Sequence, residues 1–361
     1  MSLEERNQKI IDAVIRKAHL VCPGALALIG INGSFMTGDF YEKSDLDLLI
    51  VVNDDSGRQL GCAFIQDDLQ VGHDIYCVGW ERLEEDAGYG HPNISKLLDA
   101  KIVYCADEKY RERLDTLRQK AKDLLAAPFS EEDYTKAEKL FREAEHCYTS
   151  AMLAEHRSDV LDGAGGAVYY IENAIAMLNK QYFHLGVKRA YEELQAMKIR
   201  PEKLCDMIEN VVSADAVADV QKHLSVLMKE TRAVFRHVKE TLSIQKKPAD
   251  SDTLTGTYEE MYSNWRNKMH AAAKAGNRHL AFMSLISANA MFSEIRDEVN
   301  IGRYDALCGY DPQDLQKTAE SYDDLLRGYV KEYEKAGIGV KQYSDIDAFV
   351  LDYISVQQRK E

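Results

Sequence analysis

No apolar run approaches the roughly 18 residues that a membrane-spanning helix needs, so the sequence offers no candidate span. The first twenty residues, MSLEERNQKIIDAVIRKAHL, mix charges at helical spacing and lack the apolar core of a signal peptide. Seven cysteines, Cys22, Cys62, Cys77, Cys105, Cys147, Cys205 and Cys308, are odd in number, scattered and never spaced as CxxC. That pattern excludes a zinc ribbon and a disulfide framework and leads us to expect reduced thiols in a cytoplasmic protein. Basic charge is also short: Lys and Arg number 45 against 60 Asp and Glu, a formal charge of −15. Residues 1–125 hold 15 basic and 22 acidic side chains and the remainder 30 and 38, so neither part is a basic module. Binding to a phosphate backbone needs clustered Lys and Arg, which disfavours a nucleic-acid partner. Internal repeats and low-complexity tracts are missing as well. What remains is ordinary globular composition, 45% apolar and 29% charged, over 361 residues, enough for two domains. A small-molecule enzyme fits this balance best.

The first stretch alternates between periodicities. Ile10, Ile11, Val14, Ile15 and Ala18 form the stripe of an opening helix that stops before Pro23-Gly24. Ala25–Ile31 reads as a short buried strand, Asp45–Val52 as a second and Val71–Val78 as a third. Ile94–Leu98 suggests a short helix and Ile102–Tyr104 a fourth strand. Residues 1–125 are therefore expected to form a small α/β domain, a mixed sheet with flanking helices. Residues 126–361 read as an all-α helical bundle, opened by the capping box Ser130-Glu131-Glu132-Asp133. The expected helices are 131–157, 164–184, 187–197, 201–211, 214–243, 256–275, 278–299, 312–335 and 344–357. A break between sub-bundles is conceivable at 245–255, where Gln245–Asp252 has linker composition, although a loop between long helices is the simpler reading.

Chemistry concentrates in Gly33-Ser34-Phe-Met-Thr-Gly-Asp-Phe-Tyr-Glu-Lys-Ser44-Asp45-Leu-Asp47, followed by Leu-Leu-Ile-Val-Val. Strand neighbours i and i+2 share a face, so Asp45 and Asp47 point together while Leu46 and Leu48 enter the core. Two adjacent carboxylates repel unless a cation lies between them, and a hard Mg²⁺ carrying phosphates suits them. Gly33 permits close backbone approach, and the Ser34 hydroxyl and free N–H groups can hold phosphate oxygens. On the third strand Asp74 shares a face with Gly72 and Tyr76. If that strand lies beside the second, three carboxylates can hold two metals about 3.5–4 Å apart, as in-line phosphoryl displacement uses. His73, on the opposite face, reads as structural.

Gly-Ser, a ten-residue gap and Asp-x-Asp opening a hydrophobic strand resemble the signature of the nucleotidyltransferase superfamily related to DNA polymerase beta. GSFMTGDFYEKSDLDLLIVV looks most like the antibiotic nucleotidyltransferases acting on streptomycin/spectinomycin, kanamycin and lincosamides, which also join an α/β catalytic domain to a helical one. The resemblance implies that Asp45 and Asp47 ligate Mg²⁺ on the nucleoside triphosphate (ATP being the expected donor). Gly33 and Ser34 would cradle its β- and γ-phosphates, and Ser44 would add a hydrogen bond. A nucleoside monophosphate would pass to a hydroxyl of a small molecule, aminoglycoside-like in this comparison, with release of pyrophosphate. Asp74 is one candidate for general base. Glu172 is the other, because Gly165–Lys180 resembles the substrate-facing helix of the kanamycin and streptomycin enzymes. Two alternatives stay open: a protein-nucleotidylylating enzyme of toxin–antitoxin type, and a nucleotide-binding regulatory or interaction protein with a disabled site.

Weaker signals lie in the helical part. Lys180, Lys188 and Arg189 could meet a triphosphate, although basic residues on helices are usually solvated. Arg232 and His237 fit the R-x4-H spacing of HEPN ribonucleases, a spacing that chance often produces. Tyr258, Tyr262, Trp265 and Arg266 could stack on a base, but an aromatic stripe at this spacing is more often core.

Overall fold

The computed structural model describes residues 2–243 and 246–358. They form two compact units, Met1–His237 and Val238–Glu361. Gln245, in the expected linker, lies outside the described residues.

The first unit opens with α1 (Leu3–Val21), whose stripe Ile11, Val14 and Ala18 is buried. A four-stranded mixed sheet follows, ordered β5-β2-β1-β6, from β1 (Leu26–Ile31), β2 (Leu48–Val52), β5 (Cys77–Gly79) and β6 (Lys101–Cys105). β1 runs antiparallel to both β2 and β6, and β2 runs parallel to β5. The central strands β1 and β2 are apolar throughout because both of their faces are covered. Between β1 and β2 lies one helical turn, α2 (Ser34–Thr37). β3 (Cys62–Gln66) and β4 (Val71–Ile75) make a separate antiparallel hairpin. α3 (Trp80–Ala87), α4 (Ser95–Asp99) and α5 (Glu108–Ala126) complete the α/β part.

Two expectations change here. The single strand Val71–Val78 is two short ones: β4 pairs with β3, and only β5 joins the sheet beside β2. The expected strand Asp45–Val52 starts its ladder at Leu48, and the two acids arrive on the extended segment just before it.

Helices then take over, as expected. α6 (Glu131–Leu153) starts on the Ser130 capping box, with the Ser130 and Asp133 side chains satisfying each other's backbone N–H groups. α7 (Arg157–Leu178) begins seven residues earlier than expected and runs through Gly163, Gly165 and Gly166. Glycine weakens a helix by about 0.5–1 kcal/mol, but here it allows contact. A Cβ on Gly163 would stand 2.8 Å from the Ala151 backbone nitrogen and 2.9 Å from the Cys147 carbonyl oxygen. α8 (Ala190–Ala196), α9 (Leu204–Val212) and α10 (Val217–Ser243) follow, and the division between the units falls inside α10.

The second unit contains α11 (Ser251–Leu254), α12 (Thr257–Met261), a π-helical turn Tyr262–Arg266, α13 (Asn267–Ala275), α14 (Arg278–Glu298), α15 (Leu315–Lys335) and α16 (Ile346–Gln358). Its core is its own, built on Leu285, Phe292, Tyr322, Tyr329 and Tyr333. Among the described residues no helix is long and apolar enough to cross a membrane.

Candidate active site

β1 delivers the chain to Asn32, whose N–H donates to the Asp47 carbonyl at 2.9 Å and so extends the β1–β2 pairing by one step. Gly33 then turns with φ +68° and ψ −146°, a conformation closed to residues with a side chain. A Cβ there would lie 2.7 Å from Asp47 Cγ and closer still to Oδ2. Gly33 is therefore required twice, by its backbone and by the carboxylate folded against it. One turn of α2 follows, and Gly38 (φ +81°) and Asp39 both donate their N–H groups to the Ser34 carbonyl, at 3.0 and 3.1 Å. Buried Ser44 closes the loop: its Oγ accepts the Tyr41 N–H at 3.0 Å, and its own N–H donates to the Tyr41 carbonyl at 2.9 Å.

These turns bring the expected residues together. Gly33, Ser34, Ser44, Asp45 and Asp47 all line one cavity of about 400 Å³. Asp45 is exposed and Asp47 half-buried. Burial first, and then the charge of Asp45, push the Asp47 carboxyl above its ordinary pKa, while Lys96 pulls the other way. A carboxylate held in that condition lacks positive charge. A divalent cation carrying phosphate oxygens would supply it, and the cavity lined by Gly33 and Ser34 has room for the phosphates. The carboxylate pair and its glycine cradle thus fit one such ion.

The other candidates sit elsewhere. Asp74 is exposed on β4, opposite Ala63 of the hairpin, and does not line the cavity. Extending the register Ile50↔Cys77 back by three residues in each strand would set Asp74 beside Asp47, but the chain leaves that ladder at Tyr76. Among the described residues, no three His, Cys, Asp or Glu side chains form a group able to hold a metal. The three-carboxylate arrangement is accordingly not assembled. Glu172 faces Tyr191 and Cys205 on the α8–α9 side of α7, outside the cavity lining, and burial raises its pKa to about 7. Lys180 is committed to a buried ion pair with Asp133 at 3.1 Å. Lys188 does line the cavity, with Nζ 3.4 Å from the Asp39 carbonyl oxygen. Arg189 pairs with Glu192 at 2.6 Å and stands 3.8 Å from Asp39. His73 is buried and stacked on Phe64, and burial together with the charge of Arg6 lowers its pKa. Arg232 pairs with Glu145 at 2.9 Å, and His237 is engaged as well. Tyr258 and Trp265 pack on the core of the second unit. Tyr262 is 40% exposed, with the Arg266 guanidinium 4.6 Å from its ring centre and Asp323 pairing with Arg266 at 2.8 Å.

Several contributors were not anticipated from sequence. The segment after α7 supplies His184, Leu185 and Gly186 to the cavity wall. Buried Glu193 fixes that segment by accepting the His184 and Leu185 N–H groups at 2.9 and 3.1 Å, with His184 Nε2 3.4 Å away. Lys96, at the start of α4, opposes the charge of Asp47 and lies over the Tyr76 ring. Arg6 of α1 reaches the Ser44 carbonyl. The sequence carried no signal for it, because polar side chains at the start of a helix ordinarily face solvent, and the burial of Arg6 and Asn7 is seen only in the structure.

No curated protein matches this chain significantly. A solved structure, a nucleotidyltransferase-like protein from Exiguobacterium sibiricum 255-15, aligns over 79% of this chain and 91% of its own. At 11% identity and a TM-score of 0.35 that likeness carries no argument. The family model described as nucleotidyltransferase domain matches residues 9–128, from within α1 to just past α5, the stretch that holds the Gly33 turn and both carboxylates.

Proposed function

We propose that the protein transfers a nucleoside monophosphate from a nucleoside triphosphate, with ATP as first choice, to a hydroxyl of a small molecule. The observation that carries this reading is the Asp45–Asp47 pair lining one cavity with Asp47 folded against Gly33, the Asp47 carboxyl pushed up by burial and by its neighbour. Mg²⁺ held by the two carboxylates would neutralise phosphate charge. The Gly33–Thr37 turn positions the phosphates, and Ser34 and Lys188 line their path. The acceptor oxygen bonds to the α-phosphorus, the bond to the β-phosphate oxygen breaks, and pyrophosphate leaves. The acceptor proton goes to a base on the cavity wall, which His184 lines and from whose lining Asp74 and Glu172 are absent.

Asp39 supports an acceptor rich in ammonium or hydroxyl donors, as aminoglycoside-like compounds are. Its Oδ2 is buried in the cavity wall without a hydrogen bond, the Arg189 guanidinium standing 3.8 Å away. One observation favours a second reading, a nucleotide-binding protein without turnover: the third carboxylate stands outside the cavity.

A thermal-shift titration with ATP, GTP, CTP and UTP, with and without Mg²⁺, compares the wild type with an Asp45→Asn/Asp47→Asn double variant. A Mg²⁺-dependent shift by one nucleotide, lost in the variant, supports the site and names the donor. Pyrophosphate release over an acceptor panel then separates an enzyme from a binding protein. No shift with any nucleotide sinks both readings.

A further inference from the structure

Arg6 is out of place by ordinary rules. It lies in the first turns of α1, only 4% exposed, beside Asn7 at 6%. Both continue the stripe formed by Ile11, Val14 and Ala18, where an apolar side chain would cost nothing to bury. A guanidinium taken out of water costs several kcal/mol unless its five donors are met. They are not all met. Nε and Nη2 each reach Asn7 Oδ1 at 3.3 Å, and Nη2 also donates to the Ser44 carbonyl oxygen. Nη1 is buried with no hydrogen-bond partner. The charge that favours the guanidinium in this position is that of Asp45, the residue after Ser44.

We propose that Arg6 is a positioning residue for the metal–nucleotide site: its hydrogen bond to the Ser44 carbonyl fixes the backbone that presents Asp45. The inference rests on the reading of that pair as a metal–nucleotide site. It adds an element that the 9–128 match does not include, because Arg6 precedes residue 9. Thirty-eight residues separate Arg6 from Ser44, so the contact ties the start of α1 to the lip of the cavity. Two effects oppose each other when Arg6 is removed. Loss of a positive charge would draw a cation in more strongly, whereas loss of the anchor lets the Ser44–Asp45 segment drift and scatters the ligands. A short-range ligand set depends on geometry held within about 0.5 Å, so the anchor governs.

The test uses the full chain with Mn²⁺ as probe, bound Mn²⁺ being read by electron paramagnetic resonance. Titrations are run alone and with whichever nucleoside triphosphate shifts the wild type most, and the metal-free melting temperature is measured alongside. Arg6→Met keeps length and apolar contact but removes donors and charge. Arg6→Lys keeps the charge and a donor for the Ser44 carbonyl. The expected result is Mn²⁺–nucleotide binding at least tenfold weaker in Arg6→Met, with a metal-free melting temperature equal to or above that of the wild type. Arg6→Lys should stay within about threefold of the wild type. Arg6→Met binding as tightly as the wild type, or more tightly, overturns the inference and leaves the site reading intact. A lowered melting temperature with unchanged affinity would mark Arg6 as merely structural and also overturns it. If Arg6→Met does not fold, Arg6→Gln against Arg6→Lys carries the same expectation. A wild type that binds no Mn²⁺–nucleotide removes the site reading, and this inference falls with it.

Discussion

The two units treat their polar groups differently. In the second, partners meet within the unit. The Thr257 hydroxyl lies 2.8 Å from that of Tyr329 and 3.3 Å from that of Tyr333, which also donates to Glu259 at 2.9 Å. The Tyr304 hydroxyl donates to Glu332 at 2.9 Å, and Lys335 pairs with the same carboxylate at 3.1 Å. Arg266 and His270 share Asp323. Among the described residues of that unit, only the Tyr322 hydroxyl is left buried and unpartnered. Around the cavity of the first unit the pattern reverses. The charge of Asp45 acts against that of Asp47, the Asp39 Oδ2 has no hydrogen bond and only the Arg189 guanidinium 3.8 Å away, and Arg6 keeps a bare nitrogen. Buried polar groups are nearly always paired in proteins. A cluster of unpaired ones beside an open cavity marks where a ligand completes the structure, and a closed polar network marks where nothing need enter.

Removing either carboxylate should sharpen that contrast most. Asp45→Asn or Asp47→Asn is expected to cut nucleotidyl transfer by about a thousand-fold, as loss of a charge-stabilising group at a reacting phosphate does; steady-state pyrophosphate release measures it. The same Asp47→Asn should raise the metal-free melting temperature at neutral pH. A carboxyl whose folded pKa is raised stabilises the fold only while protonated, and that contribution is lost as pH rises through the raised value. An unchanged or lower melting temperature would show that the pair is not held under repulsion.

Gly33→Ala comes next. A methyl group there must displace Asp47 and adopt a glycine-only conformation, at a cost of roughly 1–3 kcal/mol for the backbone alone. Chemical denaturation should detect the loss, and the Mg²⁺-dependent nucleotide shift should vanish with it.

Glu172→Gln separates burial from catalysis. Its pKa of about 7 against an ordinary 4.5 means that stability is fully present below pH 4.5 and lost as pH climbs through 7. At pH 8 the amide should therefore gain up to about 3 kcal/mol, since each tenfold change in proton affinity is worth about 1.4 kcal/mol, while Mg²⁺–nucleotide binding stays unchanged. A loss of turnover at full binding would instead restore Glu172 to the role of base. The smallest effect belongs to the second unit. Thr257→Val should cost about 1–2 kcal/mol through the Tyr329 hydroxyl left unpaired and leave nucleotide binding untouched.

The α/β part and the helices after Ser130 were readable because their signals are local: buried apolar runs, 3.6-residue stripes and a capping box. The Gly33–Asp47 site was readable for a similar reason, since both ends of the loop lie within fifteen residues and the Asp-x-Asp spacing fixes a shared face. Asp74 shows the limit. Strand alternation put it on the face opposite His73, and that face of β4 is exposed. Which neighbour that strand would choose depends on β3, whose exposed Cys62–Gln66 carries no buried stripe to announce it. Glu172 shows another limit: its helix was legible, but not that its flank would face Tyr191 and Cys205 of α8 and α9. The wall built by His184–Gly186 was invisible because Glu193 creates it through backbone hydrogen bonds, which leave no pattern in side-chain types.

The glycines of α7 bear on that wall. Because Gly163 brings α7 against the main chain of Cys147 and Ala151 with no room for a methyl group, the spacing of α6 and α7 at that point is set by backbone rather than by deformable side chains. Such a seam works as a machined reference surface. The segment that leaves the end of α7 for the cavity starts from a helix seated on that seam. Sequence drift elsewhere in the bundle can alter what the wall presents, but not where it stands.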